Sequence, residues 1–241
     1  MDFSKIFTIN EATWLFYVVI NFSVILLAYR KWGRVGLLAF TPISIILANV
    51  QVSKLVILFG VETTLGNIAY SSIFLISDIL TENYGKKEAR KVIGIGFLTM
   101  IFTTIIMNIA IFLRVSPNDV NQQHLIALFG PFTRFTVGSL TAYVISSNVD
   151  ILLYLGIKKI TPEYKNLWIR NNASTLISQI VDNVIFNTIA FVGVYSMPTI
   201  ISIIFSTYFL KIITSMFDTP FVYIATYWKN KGKINDEIEI G

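Results

Sequence analysis

The sequence has no cysteine, a single histidine and few charged residues. The lack of cysteine excludes disulfide bonds, thiolate metal sites and cysteine nucleophiles. The histidine, His124, lies in a polar segment, and phosphate-binding glycine loops, dinucleotide fingerprints and metal-ligand spacings are all missing. Charged residues make up 14% of the chain, whereas soluble domains average about 25%. We therefore expect neither an enzyme nor a protein with a metal or another cofactor.

Apolar residues dominate instead, at 54% of the 241 positions. A chain this apolar cannot cover a water-facing surface, so its solvent must be lipid. The length suits one bundle of six or seven helices with about 20 apolar residues each. The predicted fold class is an all-α integral membrane protein, a polytopic helical bundle.

Seven apolar runs can be drawn within a single transmembrane domain over residues 1–241. The runs cover 12–29, 35–59, 69–84, 92–113, 131–156, 171–194 and 198–228, and residues 229–241 form a charged cytoplasmic tail. The third run is short and polar, so six spanning helices are the alternative to seven. Pro220 predicts a kink in the seventh run.

The distribution of Lys and Arg favours seven spanning helices. Fourteen of these residues lie in the first, third and fifth connections and after the seventh run, and only Lys5 and Arg114 lie in the other segments between runs. Cytoplasmic segments collect Lys and Arg, so we predict an outside N-terminus and an inside C-terminus. Because the basic residues lie where this topology requires them, nucleic-acid binding is not predicted.

Eight ionisable residues lie inside the apolar runs. Each costs about 2.5–3.5 kcal/mol at the bilayer centre, and such residues usually face the bundle interior or a watery cavity. They are Lys54, Asp78, Glu82, Arg134, Asp150, Asp182, Lys211 and Asp218. Structural ion pairs would explain single members of this set, but simple packing does not need eight. We predict a polar pathway with a cationic outer half and an acidic inner half.

The sixth run carries the clearest polar face. Thr175, Gln179, Asp182, Asn183 and Asn187 recur at helical spacing and share one stripe. Hydrogen bonding between helices is one explanation of such a stripe. The other is recognition of a heterocyclic base, because a carboxylate accepts from ring N–H groups while amides both donate and accept.

Three stretches carry motifs that occur together in one family. The first is Ser77-Asp78-Ile79-Leu80-Thr81-Glu82-Asn83-Tyr84-Gly85 with Ala89-Arg90. The second contains Arg134, Ser139, Ala142-Tyr143 and Asp150, and the third contains Ala173-Ser174-Thr175, Gln179, Asp182, Phe186 and Ala190-Phe191. Over about residues 45–195 the chain resembles the YhhQ-type queuosine precursor transporters, formerly described as vitamin uptake transporters.

The resemblance implies import of a 7-deazaguanine for tRNA modification, namely queuine or the cyano- or aminomethyl-deazaguanines. It also implies the inner or plasma membrane of a bacterium or archaeon. The alternative is a substrate-binding subunit that works with separate ATPases, as in energy-coupling-factor vitamin transporters. The sequence supports neither an ATPase partner nor a homo-oligomer, and it leaves open which deazaguanine is carried and what energises uptake.

The predicted substrate site lies at mid-depth among the second, third, fifth, sixth and seventh predicted helices. Its partners are a purine-like base and the surrounding lipid bilayer. We predict that Asp182, Gln179 and Asn183 read the base edge, that Asp78 and Asn49 contact it from the opposite side, and that Tyr143 stacks on the ring. Arg134 and Lys211 are predicted to pair with acids or gate the outer mouth. Gating or ion-pair roles are also predicted for Lys54, Glu82, Asp150 and Asp218.

Overall fold

The computed structural model of the chain describes residues 9–52, 54–59, 61–129, 132–193 and 196–236. The long helices are α1 (Ile9–Val52), α2 (Gly66–Tyr84), α3 (Lys86–Phe112), α5 (Phe132–Ile160), α6 (Leu167–Phe191) and α7 (Met197–Met216). The shorter elements are β1 (Leu55–Leu58), β2 (Val61–Thr64), α4 (Gln122–Phe129) and α8 (Thr219–Asn230). The all-α prediction is confirmed. Within the described residues, Ile9–Gln51, Lys86–Phe112 and Thr136–Ile160 are long and apolar enough to cross a membrane.

Helix α1 is a hairpin of two antiparallel helices that meet at Gly33. The backbone of Gly33 is non-helical, with φ 55° and ψ −141°. The Tyr17 hydroxyl donates to Gln51 Oε1 at 2.8 Å, although 34 residues separate the two. A straight helix would place them roughly 50 Å apart. The reversal at Gly33 therefore brings the first and second predicted runs side by side.

A short β-hairpin follows the second half of α1. Strands β1 and β2 pair antiparallel, with Leu55 opposite Thr64 and Leu58 opposite Val61. The prediction that the second run stays helical to residue 59 is therefore wrong, because the helix ends at Val52. The run is continuously apolar at this point, but its β-branched and aromatic residues are also good strand formers.

The hairpin rests on the start of α1 and the end of α7. The backbone N–H of Phe59 donates to Glu11 Oε1 at 2.7 Å, and Asn10 Nδ2 donates to the Ile57 carbonyl at 3.3 Å. The Trp14 ring lies edge-on to the rings of Phe59 and Phe217, with 5.8 Å between centroids in both cases. These contacts tie the N-terminal end of α1 to the rest of the bundle.

Helix α2, which corresponds to the third predicted run, is the central helix of the bundle. Every residue from 71 to 81 is buried. The helix packs against α1 on one side and against α3, α5, α7 and α8 on others. Its polar residues therefore face protein rather than lipid, and this explains why α2 is less apolar than α3 or α5.

The seventh predicted run is broken into α7 and α8. Residues 217 and 218 form a turn, and Pro220 lies in the first turn of α8. The predicted disruption near Pro220 is confirmed, because proline lacks an N–H group and fits the first turn of a helix. The break brings the Asp218 side chain to the start of α8, where it is fully buried.

Residues 231–236 of the predicted tail pack against the bundle. Asp236 accepts hydrogen bonds from the Tyr84 hydroxyl and from Lys229 Nζ. Lys229 Nζ also lies 4.3 Å from the centre of the Tyr84 ring. Burial alone would raise the pKa of the Asp236 carboxyl, but its bonds to Lys229 and Tyr84 hold that pKa below the usual value. The segment is thus fastened to the C-terminal end of α2.

Candidate transport pathway

Helices α2, α5 and α6 present polar side chains to one another at steps of four or eight residues. Four residues advance a helix by about 6 Å and eight by about 12 Å, so each step forms a separate layer. The positions are 70, 78 and 82 on α2, then 146, 150 and 154 on α5, and 182, 178 and 170 on α6. From the first group of positions to the last, the residue numbers increase on α2 and α5 but decrease on α6, because α6 runs in the opposite direction. We call this stack the polar column.

The first layer is built around Asp182. Its Oδ1 accepts a hydrogen bond from the Tyr70 hydroxyl at 2.8 Å and from Ser146 Oγ at 3.3 Å. The Tyr143 ring lies 6.4 Å from the Tyr70 ring at an angle of 71°. The Tyr143 hydroxyl donates a hydrogen bond to the Val92 carbonyl at 2.9 Å. This layer therefore places a buried carboxylate next to two aromatic rings.

Two amides flank the first layer on α6. Asn183 Nδ2 donates to the Ile204 carbonyl at 2.6 Å, and Asn183 Oδ1 accepts from Asn187 Nδ2 at 2.8 Å. The first bond joins α6 to α7, and the second links two amides on the face of α6 that carries Asp182. Gln179 is buried, and its Oε1 has no hydrogen-bond partner among the residues that the structure describes. Gln179 Oε1 is thus an acceptor available to a ligand.

The second layer contains three buried carboxyl groups. Thr175 Oγ1 donates to Asp78 Oδ2 at 3.4 Å, Ser178 Oγ donates to Asp150 Oδ1 at 3.1 Å, and Asn171 Nδ2 donates to Asp218 Oδ1 at 2.7 Å. The donors to Asp78 and Asp150 are three residues apart on α6, so the two carboxyl groups lie at neighbouring positions along one face of that helix. Asp218 is held by Asn171, four residues before Thr175, and therefore lies along the same face.

The third layer is an ion-pair network around Glu82. Arg170 donates to both Glu82 oxygens, at 3.0 Å and 2.6 Å, and Lys158 Nζ lies 3.0 Å from Glu82 Oε2. The Tyr154 hydroxyl donates to Glu82 Oε2 at 3.1 Å. Arg170 also donates to the carbonyls of residues 161 and 163 at 2.9 Å and 3.1 Å. At this end of the column, Arg170 makes four hydrogen bonds, two to Glu82 and two to backbone carbonyls.

Comparison with known proteins decides the class of this protein. The family model described as "Putative vitamin uptake transporter" matches residues 64–225. A "Probable queuosine precursor transporter" of Bacillus subtilis (strain 168) is 38% identical over 216 residues, which cover 90% of this chain and 94% of that protein. The chain belongs to this transporter family. A protein with the same description from Haemophilus influenzae is 24% identical over 134 residues, which cover 55% of this chain and 54% of that one.

Membership confirms the resemblance found in the motifs and the prediction of a transporter rather than an enzyme. It also agrees with a membrane protein built from apolar helices. No solved structure matches the chain to a significant degree.

Some predicted site residues of the transporter do not reach the polar column. Arg134 is exposed, and it donates to the carbonyl of Ile189 at 2.9 Å and to the carbonyl of Val192. These carbonyls lie at the C-terminal end of α6, where they lack helical N–H partners. Arg134 thus caps a helix rather than contacting Asp182. Lys54 is exposed just before β1.

Asn49 lies on α1, next to α3. Its Nδ2 donates to the Ile45 carbonyl and contacts Met100 Sδ, at 2.8 Å each. Asn49 and Met100 line a cleft between α1, α3 and α5 with Asn108 and Thr136. The prediction that Asn49 contacts the substrate from the side opposite Asp182 stays a prediction. Lys211 falls in α7, but its side chain lies outside the described part of the structure.

Four residues of the polar column were not singled out as site residues from the sequence. They are Tyr70, Ser146, Tyr154 and Arg170. Ser146 and Tyr154 each lie four residues from Asp150 on α5. Tyr70 and Arg170 lie opposite the predicted acids Asp182 and Glu82 on neighbouring helices. Arg170 had been counted among the cytoplasmic cations, yet its side chain is 1% exposed. A search for polar residues four apart on the third and fifth runs would have found Ser146 and Tyr154.

Proposed function

We propose that this transporter imports a 7-deazaguanine precursor of queuosine and binds it in the first layer of the polar column. The observation that carries the proposal is the buried Asp182 carboxylate, which is positioned by the hydroxyl groups of Tyr70 and Ser146. A guanine-like ring presents two N–H donors side by side, and a carboxylate has two oxygens that accept such a pair. The 38% identity to a protein described as a queuosine precursor transporter supports the same substrate class.

Around Asp182 the remaining donors and acceptors suit the other atoms of such a ring. Gln179 Oε1 is an available acceptor on the same helix face. The neighbouring Asn183 is held by α7, so it fixes the orientation of this face. Tyr70 and Tyr143 offer aromatic surface to a flat ligand, because aromatic rings pack favourably against one another. Ligand sites in helical bundles are built from side chains on facing helices in this way.

We propose that seven helices span the membrane, with the N-terminus outside and the C-terminus inside. The seven are the two halves of α1, then α2, α3, α5 and α6, and α7 continued by α8. The α1 hairpin supports this count, since it supplies two helices from one continuous apolar stretch. The excess of Lys and Arg in alternate connections supports the orientation. With that orientation, the first layer lies nearer the outside and the third layer nearer the cytoplasm.

We also propose that the protein is located in the inner or plasma membrane of a bacterium or archaeon.

The substrate proposal is tested in bacterial cells that cannot make queuosine precursors. Supplying this gene together with external queuine or a cyano- or aminomethyl-deazaguanine should restore queuosine in tRNA. The control is the same cells with the precursor but without the gene. Failure with all three compounds, when the protein is present in the membrane, would show that the substrate is a different solute.

A second experiment distinguishes an importer that acts alone from a subunit that needs ATPases. The purified chain is reconstituted in liposomes without any other protein, and the uptake of labelled queuine is measured. An importer that acts alone should exchange internal for external queuine in these vesicles. Binding of queuine without exchange would instead favour the energy-coupling-factor arrangement.

A further inference from the structure

The second layer of the polar column has more buried hydrogen-bond acceptors than donors. Asp78, Asp150, Asp218 and Asn171 are each at most 1% exposed. One oxygen of each receives no hydrogen bond from any residue that the structure describes: Asp78 Oδ1, Asp150 Oδ2, Asp218 Oδ2 and Asn171 Oδ1. A buried acceptor without a donor costs about 1–3 kcal/mol, so four together indicate that donors are missing.

Asn171 provides an observation that is independent of the acids. Its Nδ2 donates to Asp218 Oδ1 at 2.7 Å and to Thr219 Oγ1 at 3.2 Å. The amide oxygen belongs to the same planar group, so it lies beside the Asp218 carboxyl. Asn171 is uncharged, and its unpartnered oxygen is therefore not a result of repulsion between carboxylates. It requires a donor that the described residues do not supply.

The positions of Asp78 and Asp150 identify the kind of donor. Two buried carboxylates that are held by hydroxyl groups three residues apart on one helix repel each other unless a proton neutralises one of them. A metal ion would lie between the two groups and hold their oxygens apart. Among the described residues, no three acidic or histidine side chains are arranged to hold a metal ion. The buried, unpartnered oxygens of the two acids therefore suit a proton as the missing donor.

The charged groups on the surrounding elements do not neutralise these acids. Glu82 on α2 and Tyr154 on α5 lie one turn further along, in the third layer, and both contact Arg170 or its partners. The Arg170 guanidinium donates its hydrogen bonds to Glu82 and to two backbone carbonyls. Lys158 also pairs with Glu82. No Lys, Arg or His whose side chain the structure describes forms an ion pair with Asp78, Asp150 or Asp218.

We propose that Asp78, Asp150 and Asp218 form the proton-binding site that couples uptake to an inward proton gradient. This inference rests on the proposed function for its substrate. A hydronium ion on the outer side gives a proton to the Asp78–Asp150 pair and leaves water. The shared proton removes the repulsion between α2 and α5, and it is released to water on the cytoplasmic side. Since α6 carries both Asp182 and the hydroxyl donors to Asp78 and Asp150, substrate and proton act on the same helix.

The test uses the full chain in liposomes, with queuine as the probe and the outside more acidic by one pH unit. One proton per substrate predicts about tenfold accumulation, because one pH unit is a tenfold proton ratio of about 1.4 kcal/mol. Asp78→Asn and Asp150→Asn should lose this accumulation while still exchanging internal for external queuine. The matched control is Glu163→Gln, an acid whose side chain is 58% exposed, and it should accumulate queuine like the wild type.

The outcomes separate the two proposals. If the wild type neither binds nor exchanges queuine, the proposed substrate is wrong. If it exchanges queuine but an acidic exterior gives no accumulation, or if a sodium gradient drives accumulation instead, the proton site is wrong. Accumulation that persists in both Asp variants would also overturn it.

A measurement on the purified wild type needs neither substrate nor folding of the variants. Infrared difference spectra between acidic and alkaline buffer should show the carbonyl band of a protonated carboxylic acid. The band should be lost in Asp78→Asn or Asp150→Asn, whichever folds, and retained in Glu163→Gln. Absence of any such band in the wild type would contradict a proton held between the two acids.

Discussion

Asp182 and Asp78 are both buried carboxylates in the polar column, yet their neighbours give them different chemistry. Asp182 accepts hydrogen bonds from the hydroxyl groups of Tyr70 and Ser146. Among the residues that the structure describes, Asp78 accepts from Thr175 Oγ1 only, and the Asp150 carboxyl group is held by Ser178, three residues further along the same helix. Burial alone therefore does not determine what an acid in this protein binds. The donors and acceptors within about 3.5 Å determine it.

The substitution Asp182→Asn tests recognition at this scale. It keeps the volume but replaces one acceptor oxygen with an NH₂ donor, which then faces a substrate N–H group. We expect queuine to bind about tenfold to hundredfold more weakly, a loss of about 1–3 kcal/mol. Titration of the purified protein measures the affinity, with Asp119→Asn in the exposed outer connection as the matched control. Affinity within twofold of the wild type, in a well-folded Asp182→Asn protein, would refute the recognition role.

Two cations, Arg170 and Lys158, pair with the Glu82 carboxylate, and their different burial predicts different effects on stability. The Arg170 side chain is 1% exposed and that of Lys158 is 32% exposed. Arg170→Met should destabilise the protein by about 3–5 kcal/mol, because it leaves buried charge and two carbonyls without a partner. Lys158→Met should cost at most about 1 kcal/mol, because the pair is partly screened by water. Denaturant unfolding in detergent measures both, and equal losses would show that the burial of Arg170 is not decisive.

At the scale of helices, α2 shows why a short polar run can be a central element. The run lacks the hydropathy of α3 or α5, and the sequence alone therefore allowed six helices as an alternative. In the structure, α2 is enclosed by other helices and every residue from 71 to 81 is buried. Hydropathy measures contact with lipid, so it underestimates a helix whose neighbours are all protein.

The turn at Gly33 is the element-scale feature most sensitive to substitution. Its backbone conformation is one that residues with a side chain avoid, and an added Cβ would lie 2.7 Å from the Asn235 carbonyl oxygen and against Asp236. We expect Gly33→Ala to cost at least about 1–3 kcal/mol. Gly94→Ala in α3 is the matched control, because a Cβ there meets nothing within 4 Å. It should be neutral or stabilise the helix by up to about 1 kcal/mol. Thermal unfolding that ranks the two variants the other way would contradict this account.

The sequence predicted the helical class, the stripe on α6 and the break near Pro220, because each depends on local chemistry or helical spacing. It did not predict the hairpin at β1 and β2, since a continuous apolar run does not distinguish strand from helix. It also placed Arg134 in the site and Arg170 outside it, whereas Arg134 caps α6 and Arg170 is buried against Glu82. Near helix ends, the depth of a long arginine side chain depends on which carbonyls and acids tertiary packing brings within reach.

At the scale of the whole molecule, the proposed seven-helix topology can be tested by cysteine labelling. The chain has no cysteine, so single substitutions report without background. Asn118→Cys and Lys231→Cys place one thiol at each of two exposed positions, after α3 and after α8. With an impermeant thiol reagent on intact cells, we expect labelling at 118 but not at 231. Permeabilised cells, in which both should react, are the control. Labelling at 231 and not at 118 would reverse the orientation, and labelling at both would exclude seven spans.

The separation of the polar column into layers has a consequence for how such a carrier can be altered. Adjacent layers are about 6–12 Å apart along the helices, so side chains of the first layer can be exchanged without touching the acids of the second. Directed evolution towards a new cargo should therefore draw its useful substitutions from positions 70, 143, 146, 179 and 182. Selection on such a library would retarget the carrier while it keeps its source of energy.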